Sequence, residues 1–165
     1  MSATPRFALS FLSAGQAQKE VTVNESLQAL DLLVAAAVEQ EPLADPPASP
    51  ALGACYLVDA SPTGGWAGKP QAVAGYTSGG WRFIQPVEGL SVFVKSTAQF
   101  AFYRSGGWEM GVVRGSTLLI GGQQVVGSRA AAIASPTGGS TIDPEARSAI
   151  DAILVALRQH GLIGT

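Results

Sequence analysis

The sequence predicts an α+β fold: an N-terminal amphipathic helix, a central antiparallel β-hairpin sheet or small barrel, and a C-terminal amphipathic helix. Three observations predict it. Apolar residues step by three and four near both ends of the chain, they alternate with polar ones between about Ala54 and Ile133, and glycine pairs followed by tryptophan punctuate the alternating region.

The first element is expected to start at Thr22, whose hydroxyl can cap a helix while Glu25 reaches back to the cap N–H, and to run to about Gln40. Along it Val23, Leu27, Leu30, Val34 and Ala37 step 4, 3, 4, 3, with Leu33 and Val38 widening the stripe. Leu27, Leu30 and Val34 are therefore candidates for contact between subunits. Pro42, Pro46, Pro47 and Pro50 each lack an amide donor and restrict the residue before them, so Glu41 to Ala51 reads as a semi-rigid linker or an extended strap.

The strands expected next are Ala54–Val58, Gln71–Tyr76, Trp81–Gln85, Ser91–Lys95, Gln99–Tyr103 and Trp108–Val113, with weaker candidates at Thr117–Ile120 and Gln123–Val126. Tyr76 to Trp81 and Tyr103 to Trp108 share one pattern (aromatic, three residues of which the last is glycine, a second glycine, tryptophan), and Thr63-Gly64-Gly65-Trp66 echoes it. The pattern predicts repeated hairpins in which Gly-Gly supplies the positive φ angles of a two-residue primed turn.

The last helix has the plainest ends. Asp143 is a good N-cap, Pro144 suits the first helical position, Glu145 meets the positive end of the dipole, and Gly161 is a natural left-handed stop after Arg158 and His160. Ala146, Ile150, Ile153, Leu154 and Leu157 form its apolar stripe, and the last four are further subunit-contact candidates. The chain thus divides into an N-terminal segment and helix (1–41), a proline-rich linker (42–53), a β-rich domain (54–134), and a linker with a C-terminal oligomerisation helix (135–165).

Composition narrows the function. Charged residues are only 13% of the chain against the roughly 25% usual in soluble proteins, while hydrophobic residues reach 47%, so a monomer would show an unusually charge-poor surface. Subunit contacts account for that. With 10 basic and 12 acidic residues and no basic cluster, nucleic acid is not an expected partner. The apolar patch Phe7 to Leu12 is too short for a signal-peptide core, and no apolar run is long enough to insert in a membrane. The single cysteine, Cys55, sits in a strand pattern and reads as a core thiol.

Chemistry-bearing constellations are sparse, and no enzyme, metal or cofactor is expected. His160 is the only histidine and complements a helix C-terminus. One histidine and one cysteine do not make a zinc or iron ligand set, and no phosphate-binding glycine fingerprint occurs. Asp59, Glu88 and Glu109 allow a glycosidase-like carboxylate pair on geometric grounds, although their spacing gives no evidence of one. The aromatic hairpins carry the one binding reading: Trp66, Trp81 and Trp108, with Tyr76 and Tyr103, lie at or beside turns, where exposed rings would stack on sugars. Cross-strand packing over glycine-rich turns explains the same residues.

The stretch Leu9-Ser10-Phe11-Leu12-Ser13-Ala14-Gly15-Gln16-Ala17-Gln18-Lys19-Glu20-Val21-Thr22-Val23-Asn24-Glu25, followed by Leu27, Leu30 and Asp31, resembles the signature of a domain-of-unknown-function family found in prophages and gene transfer agents. The link Pro46 to Pro50, the strand Gly53 to Val58, the turn Thr63 to Gly68, the Gly-Trp hairpins and the tail from Val125 are similar to that family as well. The resemblance implies a virion structural protein, a tail-fibre or head-spike component supporting host attachment. It supplies no catalytic residue. It implies assembly in the bacterial cytoplasm into a phage-like particle, homo-oligomerisation (a trimer by analogy with fibres, a pentamer on a capsid vertex), and contact with other particle proteins. The short chain favours a base or adaptor role, and the alternative is a carbohydrate-binding module for capsular or lipopolysaccharide glycans.

Overall fold

A computed structural model describes residues 9–12 and 14–165, so Phe7, Ala8 and Ser13 among the features above lie outside the described residues. The fold is α+β. Its elements in order are α1 (Lys19–Leu33), β1 (Ala37–Val38), β2 (Cys55–Leu57), a 3₁₀ turn (Gly64–Trp66), β3 (Val73–Thr77), β4 (Gly80–Ile84), β5 (Ser91–Val94), β6 (Gln99–Arg104), β7 (Gly107–Met110), β8 (Leu118–Ile120), β9 (Gln123–Val126) and α2 (Pro144–Gln159). They fall into two compact units, one running to Val113 and one from Arg114 to Thr165.

Helix α1 begins earlier than its capping box suggests. The chain turns through left-handed residues at Gly15 (φ 72°) and Gln18 (φ 54°), and Gln18 caps the helix without a side-chain bond. Thr22 cannot serve as the cap because it already lies inside the helix, where its hydroxyl accepts a 2.7 Å bond from Gln16 Nε2. Within the family-like signature, Gly15 to Gln18 thus form the entry turn of α1. Glu25 is free of capping duty and pairs with Arg82 at 3.2 Å.

The helix also ends earlier, at Leu33, where Val34 is extended and Ala35 is left-handed (φ 52°). Three consecutive alanines favour helix locally, but pairing wins: Ala37 and Val38 lie parallel to Phe93 and Val94, and Val38 becomes fully buried. On its other side the segment donates from Glu39 N–H to Cys55 O at 2.9 Å. β1 therefore links the four-stranded sheet β1-β5-β6-β7 to the three-stranded sheet β2-β3-β4. All other strand pairs are antiparallel, and β8-β9 is a separate two-stranded sheet.

The proline segment is a strap. Leu43 donates to Leu57 O and accepts from Asp59 N–H, and Ala44 O accepts from Thr63 N–H, so the chain lies along β2 while its prolines interrupt any longer ladder. The three-stranded sheet β2-β3-β4, the middle sheet, buries both faces. One face gives Leu57, Val73 and Ile84 to a core shared with Leu32, Val38, Val92, Val94 and Ala101; the other gives Tyr56, Ala72 and Ala74 to a second cluster closed by Trp66. Period-2 alternation explains the division.

The two Gly-Trp hairpins form with different turns. Arg104 pairs with Gly107 around Ser105 and Gly106, both left-handed (φ 50° and 83°), as a type I′ turn requires. In the β3–β4 hairpin only Gly80 is left-handed (φ 89°), and Thr77 Oγ1 both donates to Gly80 O and accepts from Gly79 N–H. The third echo of the pattern is the 3₁₀ turn Gly64–Trp66 and makes no hairpin.

Helix α2 forms as its sequence indicates. Asp143 accepts a bond from Ala146 N–H at 2.9 Å, Pro144 opens the helix, His160 is the C-cap and Gly161 follows at φ 69°. In the same unit Ala130 bridges Ile163, Arg129 donates to Ile163 O, and Arg158 donates to Ile133 O.

Gly75 fixes how α1 lies on the middle sheet: a Cβ there would stand 2.2 Å from Leu32 Cδ2 and 3.1 Å from its Cγ. Gly75→Ala is expected to lower unfolding free energy by about 1–3 kcal/mol through overpacking. In a double-mutant cycle measured by urea denaturation, Leu32→Ala should remove most of that penalty; strictly additive effects would show that the helix does not bear on Gly75.

Candidate functional site

The aromatic residues meet one another before they meet solvent. Trp66 is fully buried under its 3₁₀ turn, with its ring 5.1 Å from that of Trp81 at an interplanar angle of 85°. Tyr56 lies 5.9 Å from Trp81, and Tyr76 lies 5.0 Å from it as the directly opposite cross-strand residue. Tyr103 and Trp108 form an equivalent pair in the other sheet at 5.3 Å. Edge-to-face and tilted contacts of this kind stabilise sheets.

This placement sorts the five glycan candidates. Trp66 leaves no face for a sugar, because none of its side chain reaches water. Trp108 is half-buried and its Nε1 donates to Gln71 O at 2.9 Å, so the indole is tethered as well as packed. Trp81, Tyr76 and Tyr103 are half-buried, each with a ring partner. The hairpin pattern could not distinguish these cases, since burial of Trp66 depends on the strap and the second core cluster.

Tyr76 also borders a groove of about 250 Å³, lined by Gln28, Asp31 and Leu32 of α1, by Leu52 and Gly53, and by Thr77 and Ser78. Gln28 Oε1 is buried and has no hydrogen-bond partner among the described residues. The Arg82 guanidinium bonds Gly79 O and Trp81 O and reaches Glu25, clamping the β3–β4 hairpin to α1 beside this groove. Neither Gln28 nor Asp31 stands out in the sequence; only the packing of α1 against the hairpin brings them together.

The subunit-contact candidates divide more cleanly. Helix α1 packs through Ala29, Leu32 and Leu33, while Val23, Leu27, Leu30 and Val34 form a separate exposed stripe, Leu27 at 57% and Val34 at 70%. On α2, Leu154 is buried, Leu157 is half-buried, and Ile150 and Ile153 are exposed. A further apolar face lies on the four-stranded sheet. Phe93 and Phe100 are directly opposed on β5 and β6, 5.5 Å apart, with Phe102 beside Phe100 and the Arg104 guanidinium 4.7 Å over Phe102. Phe100 is 55% exposed, and with Phe93, Leu33, Ala35, Ala36 and Ser91 it lines a cavity of about 380 Å³. The i, i+2 spacing of Phe100 and Phe102 was the available signal.

The remaining chemistry-bearing residues have structural partners. Asp59 Oδ1 accepts from Ser61 N–H, Glu88 accepts from Ser105 N–H at 3.0 Å and holds the β6–β7 turn, and Glu109 pairs with Arg104 at 3.2 Å. His160 is exposed at the α2 C-terminus. Burial pushes the Cys55 thiol above its ordinary value, an effect opposed by the Lys95 ammonium and reinforced by Asp31 and Glu39. Lys95 is itself raised by its hydrogen bond to Glu39 at 2.7 Å. Among the described residues no group of three or more His, Cys, Asp or Glu could hold a metal ion, and no helix is long and apolar enough to cross a membrane.

The fold and these surfaces define an α+β protein whose first unit has two packed cores and exposed apolar faces on both its helix and its sheet. The chain belongs to the DUF2793 family of proteins of unknown function, whose pattern matches residues 23–109, just over half of the sequence. The match takes in most of α1, the strap and both Gly-Trp hairpins, and contains only the last three residues of the stretch from Leu9 to Glu25. No curated protein matches the chain.

A protonated Cys55 in the fold should resist thiol reagents at neutral pH and react on unfolding in denaturant, as read by absorbance of the aryl thiolate released from an aromatic disulfide reagent. Because its folded pKa is raised, its contribution to stability is present below the unfolded value of 9.0 and is lost as pH climbs past it. Rapid labelling of the folded protein at neutral pH would contradict the raised pKa of this half-buried thiol.

Proposed function

We propose that the chain is a non-enzymatic structural component of a phage-like particle, a tail-fibre or head-spike base or adaptor that supports attachment to the bacterial surface. The observation that carries this reading is the exposed stripe Val23, Leu27 and Leu30, continued by Val34 just past the helix end, on a helix already packed through another face. A helix needs one apolar face to dock on its own sheet; a second is accounted for by a protein partner. The charge-poor composition and the signature's resemblance to prophage and gene-transfer-agent proteins support the same reading. Assembly takes place in the bacterial cytoplasm, and the partners are copies of the chain and other particle proteins.

Particles purified from the source bacterium by density gradient should contain the protein, and deleting its gene should lower particle attachment to host cells. Leu27→Glu with Leu30→Glu should reduce incorporation at least tenfold without changing tryptophan emission, since both side chains are exposed. Finding the protein wholly outside the particle fraction would overturn the proposal.

A second reading, a carbohydrate-binding module, is favoured by the groove beside Tyr76, where Gln28, Asp31 and Thr77 offer hydroxyl-binding groups near an aromatic residue. It replaces the flat tryptophan platform with a small cleft. Retention on immobilised capsular polysaccharide, abolished by Gln28→Ala with Asp31→Ala, is the expected result; equal retention of the variant would remove the groove from consideration.

A further inference from the structure

The unit from Arg114 to Thr165 has well-made polar joints and too little interior. Its helix is capped by Asp143, Arg129 and Arg158 bond backbone carbonyls, and Ala130 bridges Ile163. Yet only Leu154 and Ile163 are buried hydrophobics in it. Both strands of the β8–β9 hairpin are exposed along their whole length, with Ile120 at 64%. A chain segment of this size needs a substantial core, and an isolated two-stranded hairpin is marginal in water. The missing interior must be supplied from outside the unit.

Two features indicate what supplies it. Ala146, Ile150, Ile153 and Leu157 step 4, 3, 4 along α2, the spacing of a coiled-coil seam, and Ala146, Ile150 and Ile153 stay exposed although Leu154, one turn from Ile150, is buried beside them. Such a seam is complementary to a parallel copy of itself, because each layer then meets the same residues. Isoleucine at successive core positions favours three or four strands over two. The second feature is charge. From Arg114 to Ile142 the only charged residues are Arg114 itself and Arg129, which is bonded to Ile163 O, and strands β8 and β9 carry none. Copies can therefore approach along the hairpin without meeting like charges, and there is no charge pattern there to select a different partner. A permanent core deficit also demands a partner present wherever the chain is made, which a second copy always is.

We infer that residues 114–165 complete their core between chains, as a parallel trimer in which three copies of α2 meet along Ile150, Ile153 and Leu157 and the hairpins add apolar cover. This concerns the isolated protein and does not require a particle. The particle experiment reads localisation and the present one reads solution mass, so either proposal can fail alone.

The test is light scattering coupled to size exclusion on the full chain, with hydrogen exchange across α2. All three tryptophans, Trp66, Trp81 and Trp108, lie in the first unit, so their emission reports its folding independently of the second. The expected mass is three times 16.9 kDa. Ile150→Asp with Ile153→Asp should give a monomer whose α2 amides lose protection by at least about tenfold while tryptophan emission is unchanged. A variant whose emission also changes is replaced by Ile153→Asn alone, which retains the cap and the rest of the helix and should shift the mass toward monomer on dilution. Any wild-type mass other than three chains, or a trimer that survives both substitutions with α2 protected, overturns the inference.

Discussion

The two-residue strand β1 is the constraint on which the first unit depends. It pairs with β5 along one edge and, through Glu39, reaches β2 along the other, so the four- and three-stranded sheets share a single stretch of backbone. Val38 fills the space beneath and is fully buried. To place it there, the chain must leave α1 at Leu33 and turn through a left-handed alanine. That requirement sets the length of α1, and Gly75 sets its height over the middle sheet. The exposed stripe of the helix is a consequence: the face that contacts the sheets is chosen by Leu32 and Leu33, not by the most regular apolar spacing.

The sequence was legible where structure is specified locally. Asp143, Pro144 and Gly161 act within a few residues of themselves, and α2 has the ends they indicate. The eight strands from β2 to β9 follow runs of alternating apolar residues, and each expected run overlaps one, with β3, β4, β6 and β7 each reaching one residue beyond it. Legibility failed where distant residues decide. Thr22 has the chemistry of a cap but is occupied by Gln16, and the alanines at 35–37 favour helix but are taken by the sheet. Gly64-Gly65-Trp66 resembles the hairpins, yet its indole is enclosed by residues from the strap and the middle sheet. The groove beside Tyr76 joins residues from three parts of the chain, which no local pattern could announce.

The tryptophans thus act chiefly as parts of the scaffold, and the surfaces left for recognition are aliphatic on α1, phenylalanine-rich on β5 and β6, and mixed in the groove. Aliphatic and phenylalanine faces bury well against protein, whereas the groove with its amide and carboxylate suits a small polar ligand. One fold can carry both, because neighbouring strips of the same helix serve them: Leu27 and Leu30 belong to the stripe, and Gln28 and Asp31, the latter one turn on from Leu27, line the groove.

The pairing of β1 with β5 also sets an order of events on the ribosome. Residues 37 and 38 cannot find their partners until Phe93 and Val94 have been made and have emerged, so the first unit stays open through most of its own translation. Val126, the end of β9, lies 13 residues beyond Val113, where the first unit ends, and at roughly 5–20 residues per second that stretch takes about a second to make. Strand pairing takes microseconds to milliseconds, so the first unit has time to close before the apolar strands of the second are complete. Nascent chains on one messenger would then present finished N-terminal halves, each trailing a C-terminal segment that is still being extended.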